Sequence, residues 1–171
     1  MIKSVVLPFG ASGVAGAAML ALGIDWAVGA PVCGCVLAEF RMAPLLLQPH
    51  GVEPDEAVAA MLAGLARSAL PCGLIVCGMR HEPPERVAQA AELALRHRVG
   101  PLRSVGVVGF DLAGPELGWP ATRHAAALAR VREAGLPITL HAGEADEGQR
   151  VYGRLVASRA SLSMTGAALP S

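Results

Sequence analysis

Apolar and polar positions along the chain switch between two periods, and the switches mark out its elements. Val36-Leu37-Ala38-Glu39-Phe40-Arg41-Met42 reads as a strand that Pro44 breaks. Pro54 and Asp55 open a helix in which Val58, Met61, Leu62 and Leu65 share one face. Gly73 to Met79 is an unbroken apolar run, the pattern of a strand buried on both faces, and it delivers Arg80-His81. Pro83-Pro84-Glu85 starts a second helix, with Val87, Ala91, Ala94 and Leu95 as its stripe. A third strand, Val105 to Phe110, ends in Asp111 and turns at Gly114. The third helix, Pro120-Ala121 to Ala134, places Ala121, Ala125, Leu128 and Val131 inward and stops at Gly135. A fourth strand, Leu136 to Leu140, runs into His141-Ala142-Gly143-Glu144.

Strands starting near residues 36, 73, 105 and 136, with helices between them, advance by one βα unit at a time. The pattern predicts an α/β fold: a parallel sheet of about four βα units, covered by helices and joined by right-handed crossovers. Arg41, Arg80-His81, Asp111 and His141-x-x-Glu144 all fall at the carboxyl ends of strands. In parallel α/β architectures that rim is where ligands bind.

The regular pattern stops at both ends. Between Lys3 and Asp25 there is no charge, yet Pro8, Gly10, Gly13, Gly16 and Gly23 weaken that run as a membrane-crossing helix. It also lacks the short apolar core and cleavage site of a secretory leader. The predicted organisation is an apolar, glycine-rich segment over 1–35, a βα domain over 36–150 and a divergent tail over 151–171.

Composition narrows the partners. The 171 residues suit one domain, and 16% charged residues beside 53% hydrophobic ones exclude a disordered chain. Fourteen basic and fourteen acidic side chains give zero net charge without a block of either sign. No nucleic acid or anionic membrane partner is therefore expected. Aromatics make up only 4%, so the core must be built from Ala, Val and Leu. Four cysteines form no dense disulfide framework and fit a reducing cytoplasm. Cys77 reads as a small core residue; a zinc set drawn from Cys33, Cys35, Cys72 and Cys77 departs from the usual spacing.

The densest candidate chemistry is His141-Ala142-Gly143-Glu144. Small residues there let a metal or substrate approach the backbone, histidine is the commonest metal ligand, and a nearby carboxylate can move protons. The alternative is a strand end with one buried histidine and one solvated glutamate. Asp111 either orients the site from behind or caps the following turn. Arg80 and His81 are expected to hold structure, and Trp26 and Trp119 to pack at element ends. His50, His97 and His124, in loop or helix-surface positions, are expected to be solvated.

Cys77-Gly78-Met79-Arg80-His81, then Gly109-Phe110-Asp111-Leu112-Ala113-Gly114-Pro115-Glu116, then His141-Ala142-Gly143-Glu144 resemble the adenosine deaminase family in order and spacing. Ala38-Glu39-Phe40-Arg41-Met42-Ala43-Pro44 looks like that family's second-strand segment. The resemblance spans residues 36–150 and implies a partial TIM-type (β/α)8 barrel. It implies hydrolytic deamination of adenosine or deoxyadenosine to inosine and ammonia, with Zn2+ as cofactor and a small-molecule purine nucleoside as partner. On the matched positions, His141 is a zinc ligand, Glu144 the catalytic proton donor and Gly114 a substrate-binding residue through its backbone N–H. The family's pattern also has a His-x-His pair and a further histidine after the one matching His141; this sequence has neither. A full barrel takes about 250 residues, so the resemblance implies an internal piece whose open sheet edges favour self-association. A non-catalytic remnant and a deaminase for another purine are the alternatives.

Overall fold

The computed structural model describes residues 37–68, 71–99, 105–142 and 161–163, the last three as backbone alone. The segment Met1–Pro31, the pair Cys33 and Cys35, and Glu144 lie outside the described residues. Strand β1 (Ala38–Met42) leads through a 3-10 helix (Pro44–His50) to helix α1 (Pro54–Leu65). Strand β2 (Cys72–Met79) is followed by α2 (Pro84–Arg96), and β3 (Val107–Ala113) by a 3-10 turn (Ala121–His124) and α3 (Ala125–Glu133). Then come β4 (Ile138–His141) and β5 (Ser161–Ser163). Proline at the first turn, with Asp55 and Glu56 in α1 and Glu85 in α2, starts both helices where the peptide dipoles favour negative charge. Gly135, at φ +71°, releases the chain after α3.

All strand pairs are parallel, and the sheet order is β1-β2-β3-β4-β5, the order of the sequence. The α/β expectation holds. A sequential order without reversal, with crossovers of one hand, keeps the helices on one face, as in a barrel and unlike a doubly wound sheet. On that face Phe40, Met42, Leu74, Val76, Val107, Phe110, Leu112 and Leu140 pack against Val58, Leu65, Val87, Leu93, Ala94 and Val131. Gly78 lets α2 close in: a Cβ there would lie 3.0 Å from Val87 Cγ1 and 3.1 Å from Phe110 Cζ.

Three details depart from the sequence pattern. Strand β3 continues to Ala113, so Asp111 stands within the ladder, paired in register with Cys77 and Thr139, instead of following the strand's end. The pattern places Ala125 inward, but Ala125 is exposed and His124 is buried in its stead. The cause is the 3-10 turn: with three residues per turn, Ala121 and His124 fall on one face, and Ala127 and Val131 continue it. Finally, Ser161–Ser163, in the segment predicted as a divergent tail, pairs with β4 as a fifth parallel strand. No helix among the described residues is long and apolar enough to cross a membrane.

Candidate active site

Side chains alternate across a strand, so register decides which residues share a face. Arg41 pairs with Ile75, Cys77 with Asp111, and Asp111 with Thr139, two residues before His141. Arg41, Cys77, Asp111 and His141 therefore project from the face opposite the helices, at the carboxyl halves of four consecutive strands. The sequence marks three of them as rim residues; the common face comes from the register.

Asp111 is the centre of this group and is fully buried. Its Oδ2 lies 2.8 Å from His141 Nδ1 and 3.3 Å from Arg41 Nε, and Cys77 Sγ donates to it at 3.8 Å. Asp111 thus stands inside β3 with its carboxylate beside the imidazole. Its other oxygen, Oδ1, is buried with no hydrogen-bond partner among the described residues. A carboxylate facing Nδ1 favours a proton there and a lone pair on Nε2, the arrangement found behind metal-binding histidines, although among the described residues the Nδ1 proton is not aligned for a hydrogen bond. Cys77 does more than fill the core. Burial first, and then the charge of Asp111, push its thiol well above the ordinary 9.0, so it stays a proton donor.

Gly114 follows β3 at φ +97°, and a Cβ there would lie 2.9 Å from His81 Nδ1 and 3.3 Å from Met79 Cε. The backbone conformation favours glycine here, and a Cβ would also have to displace the His81 ring. Exposed His81 meets Trp119 edge-on, with ring centroids 6.4 Å apart, and the Arg123 guanidinium lies 4.6 Å from the Trp119 ring centre. Trp119 thus packs at an element end. Arg80 is buried, and its Nη2 donates to the carbonyls of Leu112 (3.2 Å) and His141. His124, predicted to be solvated, is 1% exposed, with Nε2 2.9 Å from the Arg80 carbonyl oxygen. His97 is likewise not simply solvated, since its Nε2 lies 3.1 Å from Asp55 Oδ1. His50 is exposed as predicted.

A catalytic zinc takes three protein ligands. His141, held from behind by Asp111, fits one of them. The other four histidines are engaged or placed as just described, and among the described residues no group of three His, Cys, Asp or Glu side chains could hold a metal ion. The described residues therefore do not complete a zinc centre. Cys72 and Cys77 stand five residues apart on β2 and so face opposite ways; Cys72 Sγ donates to Leu65 O at 3.5 Å on the helix side. The four-cysteine zinc set is thereby excluded.

The family model described as adenosine deaminase matches residues 28–161, past the 36–150 span that the motifs cover. Over 119 residues the chain is 42% identical to the adenosine deaminase of Mycobacterium ulcerans (strain Agy99), covering 64% of this chain and 31% of that protein. The adenosine deaminase of Enterococcus faecalis (strain ATCC 700802 / V583) is 35% identical over 122 residues, 69% of this chain and 35% of its own length. The chain thus spans about a third of the length of these curated relatives. A Zn-bound cog1816 amidohydrolase from Burkhoderia ambifaria superposes with a TM-score of 0.73 at 20% identity, over 85% of this chain and 40% of that one. The parallel βα sheet is thus part of a TIM-type barrel. With the match running through all four strands that carry Arg41, Cys77, Asp111 and His141, the chain belongs to the adenosine deaminase family, a zinc-dependent one.

Proposed function

We propose that this chain is the central portion of a hydrolase that converts adenosine or deoxyadenosine and water into inosine or deoxyinosine and ammonia. The observation that carries the reading is the 2.8 Å contact between His141 Nδ1 and Asp111 Oδ2 at the carboxyl rim of the sheet. A buried carboxylate that fixes one ring nitrogen presents the other to a metal or a polar substrate atom. In this reading His141 would hold a zinc ion through Nε2, and the metal would supply activation of the attacking water; the described residues offer no further ligands for it. Asp111, balanced by Arg41, sets the ring's tautomer and direction. Gly114, without a side chain, brings its backbone N–H against the purine ring. Glu144, protonated, donates to ring N1 and makes C6 more electrophilic; the oxygen of water bonds to C6, the C6–N bond then breaks, and of the two protons water gives up one leaves with the amine as ammonia and one restores Glu144. Two free, buried thiols, Cys72 and Cys77, fit work in a reducing cytoplasm.

Zinc content and ammonia release from adenosine, measured on the full chain purified in the presence of zinc, test the proposal. About one zinc per chain with turnover is the expected result, and Glu144→Gln should abolish turnover while zinc stays bound. Unchanged turnover in that variant removes Glu144 from its role. A chain with neither zinc nor turnover is the non-catalytic remnant instead.

A further inference from the structure

We propose that His124 is a positioning residue for His141, acting through Arg80. The 3-10 turn Ala121–His124 brings the imidazole under the residue that follows β2, with Nε2 2.9 Å from the Arg80 carbonyl oxygen. A carbonyl only accepts, so His124 must carry a proton on Nε2. Its Nδ1 is buried with no hydrogen-bond partner among the described residues. An apolar side chain would fill the same space without stranding a nitrogen, so packing alone does not explain a histidine here. What it adds is the hydrogen bond to Arg80.

Arg80 touches the ends of two strands. Its backbone N–H donates to Ala113 O at 2.7 Å, and its guanidinium Nη2 donates to the carbonyls of Leu112 and His141. The His141 carbonyl is the last one of β4, so the Arg80 contact sets the peptide plane from which the imidazole leaves toward Asp111. His124 holds the other end of Arg80, its own carbonyl. A line of contacts thus runs from the 3-10 turn before α3, through the residue that follows β2, to the end of β4: His124 to Arg80, and Arg80 to His141. If the Arg80 peptide turns, the guanidinium moves, and the 2.8 Å contact between His141 and Asp111 lengthens.

The inference takes its catalytic meaning from the proposed role of His141, but its test reads the imidazole directly. A chain without deaminase activity still answers it. In long-range 1H–15N spectra of the full chain, His124 should show the Nε2–H tautomer and His141 a downfield, slowly exchanging Nδ1 proton. His124→Gln keeps a donor near the Nε2 position and should leave that proton's exchange within about twofold, whereas His124→Asn, too short to reach, should speed it about tenfold. Amides of β1 and α1 should keep their protection in both variants, which separates repositioning from general loosening. An Nδ1–H tautomer at His124 in the unmodified chain overturns the proposal. So does a His124→Asn variant with unchanged exchange at His141, or a His124→Gln variant that exchanges as fast as His124→Asn or does not fold. If His124→Asn alone fails to fold, the tautomer together with a His124→Gln variant of normal exchange sustains it.

Discussion

The two faces of the sheet are built on opposite terms. Toward the helices, Phe40, Leu74, Val76, Phe110, Leu112 and Leu140 form a continuous apolar layer. On the other face the same strands carry Arg41, Cys77, Asp111 and His141, all within reach of one buried carboxylate. Burying a large apolar side chain contributes about 1.5–3 kcal/mol, so the first face accounts for folding. A buried ion pair often adds nothing over apolar residues of the same size, because desolvation offsets the attraction. The second face is therefore an expensive way to hold a sheet together and an effective way to hold one imidazole still. In this molecule stability and chemistry are assigned to alternate residues of the same strands.

The sharpest way to break that contrast is at Asp111. Replacing it with Ala takes the carboxylate 3.3 Å from Nε away from the buried Arg41 guanidinium, a loss of about 3–5 kcal/mol, as large as that of Phe110→Ala on the helix side. Urea titration should find the two alike. They part when the partner is also changed: Arg41→Met with Asp111→Leu should recover most of the stability while the His141 imidazole loses its fixed tautomer. If the double variant stays as unstable as Asp111→Ala, the charged group is framework like the other face.

A smaller effect is expected at Gly114. Ala there must adopt φ +97° and meet His81 Nδ1 at 2.9 Å, a loss of about 1–2 kcal/mol from the backbone alone. His81→Ala in the same chain should relieve only the contact. Full recovery of the melting temperature would show that crowding, not backbone conformation, selects glycine.

The smallest effect is one of pH. The folded chain keeps a proton on Cys77 well above the 9.0 at which an unfolded thiol releases it. Where only the folded state holds the proton, stability falls with rising pH, so this contribution is complete below about pH 9 and lost above it. Cys77→Ala should flatten the alkaline limb of the denaturation midpoint against pH. An unaltered limb would detach Cys77 from Asp111.

Much of this was legible in the sequence because apolar spacing is local. The runs at Gly73–Met79 and Leu136–Leu140, and the stripe Val87, Ala91, Ala94, report burial through hydrophobicity and a fixed helical or strand period, with no knowledge of neighbours. Asp111 stands inside β3, whereas the positions of Arg41 and His141 near strand ends followed from the same spacing. Their meeting did not. It depends on the register between strands far apart in sequence, which pairs Cys77 with Asp111 and Asp111 with Thr139. The phase of the third helix also escaped, since a single 3-10 turn exchanges Ala125 for His124 and no composition signal marks that turn. The order of residues thus determined which segments fold and which way each strand points its polar end. Tertiary packing alone decided that one carboxylate would lie between a guanidinium, a thiol and an imidazole, because contacts of a few ångströms arise only once separate strands share a face.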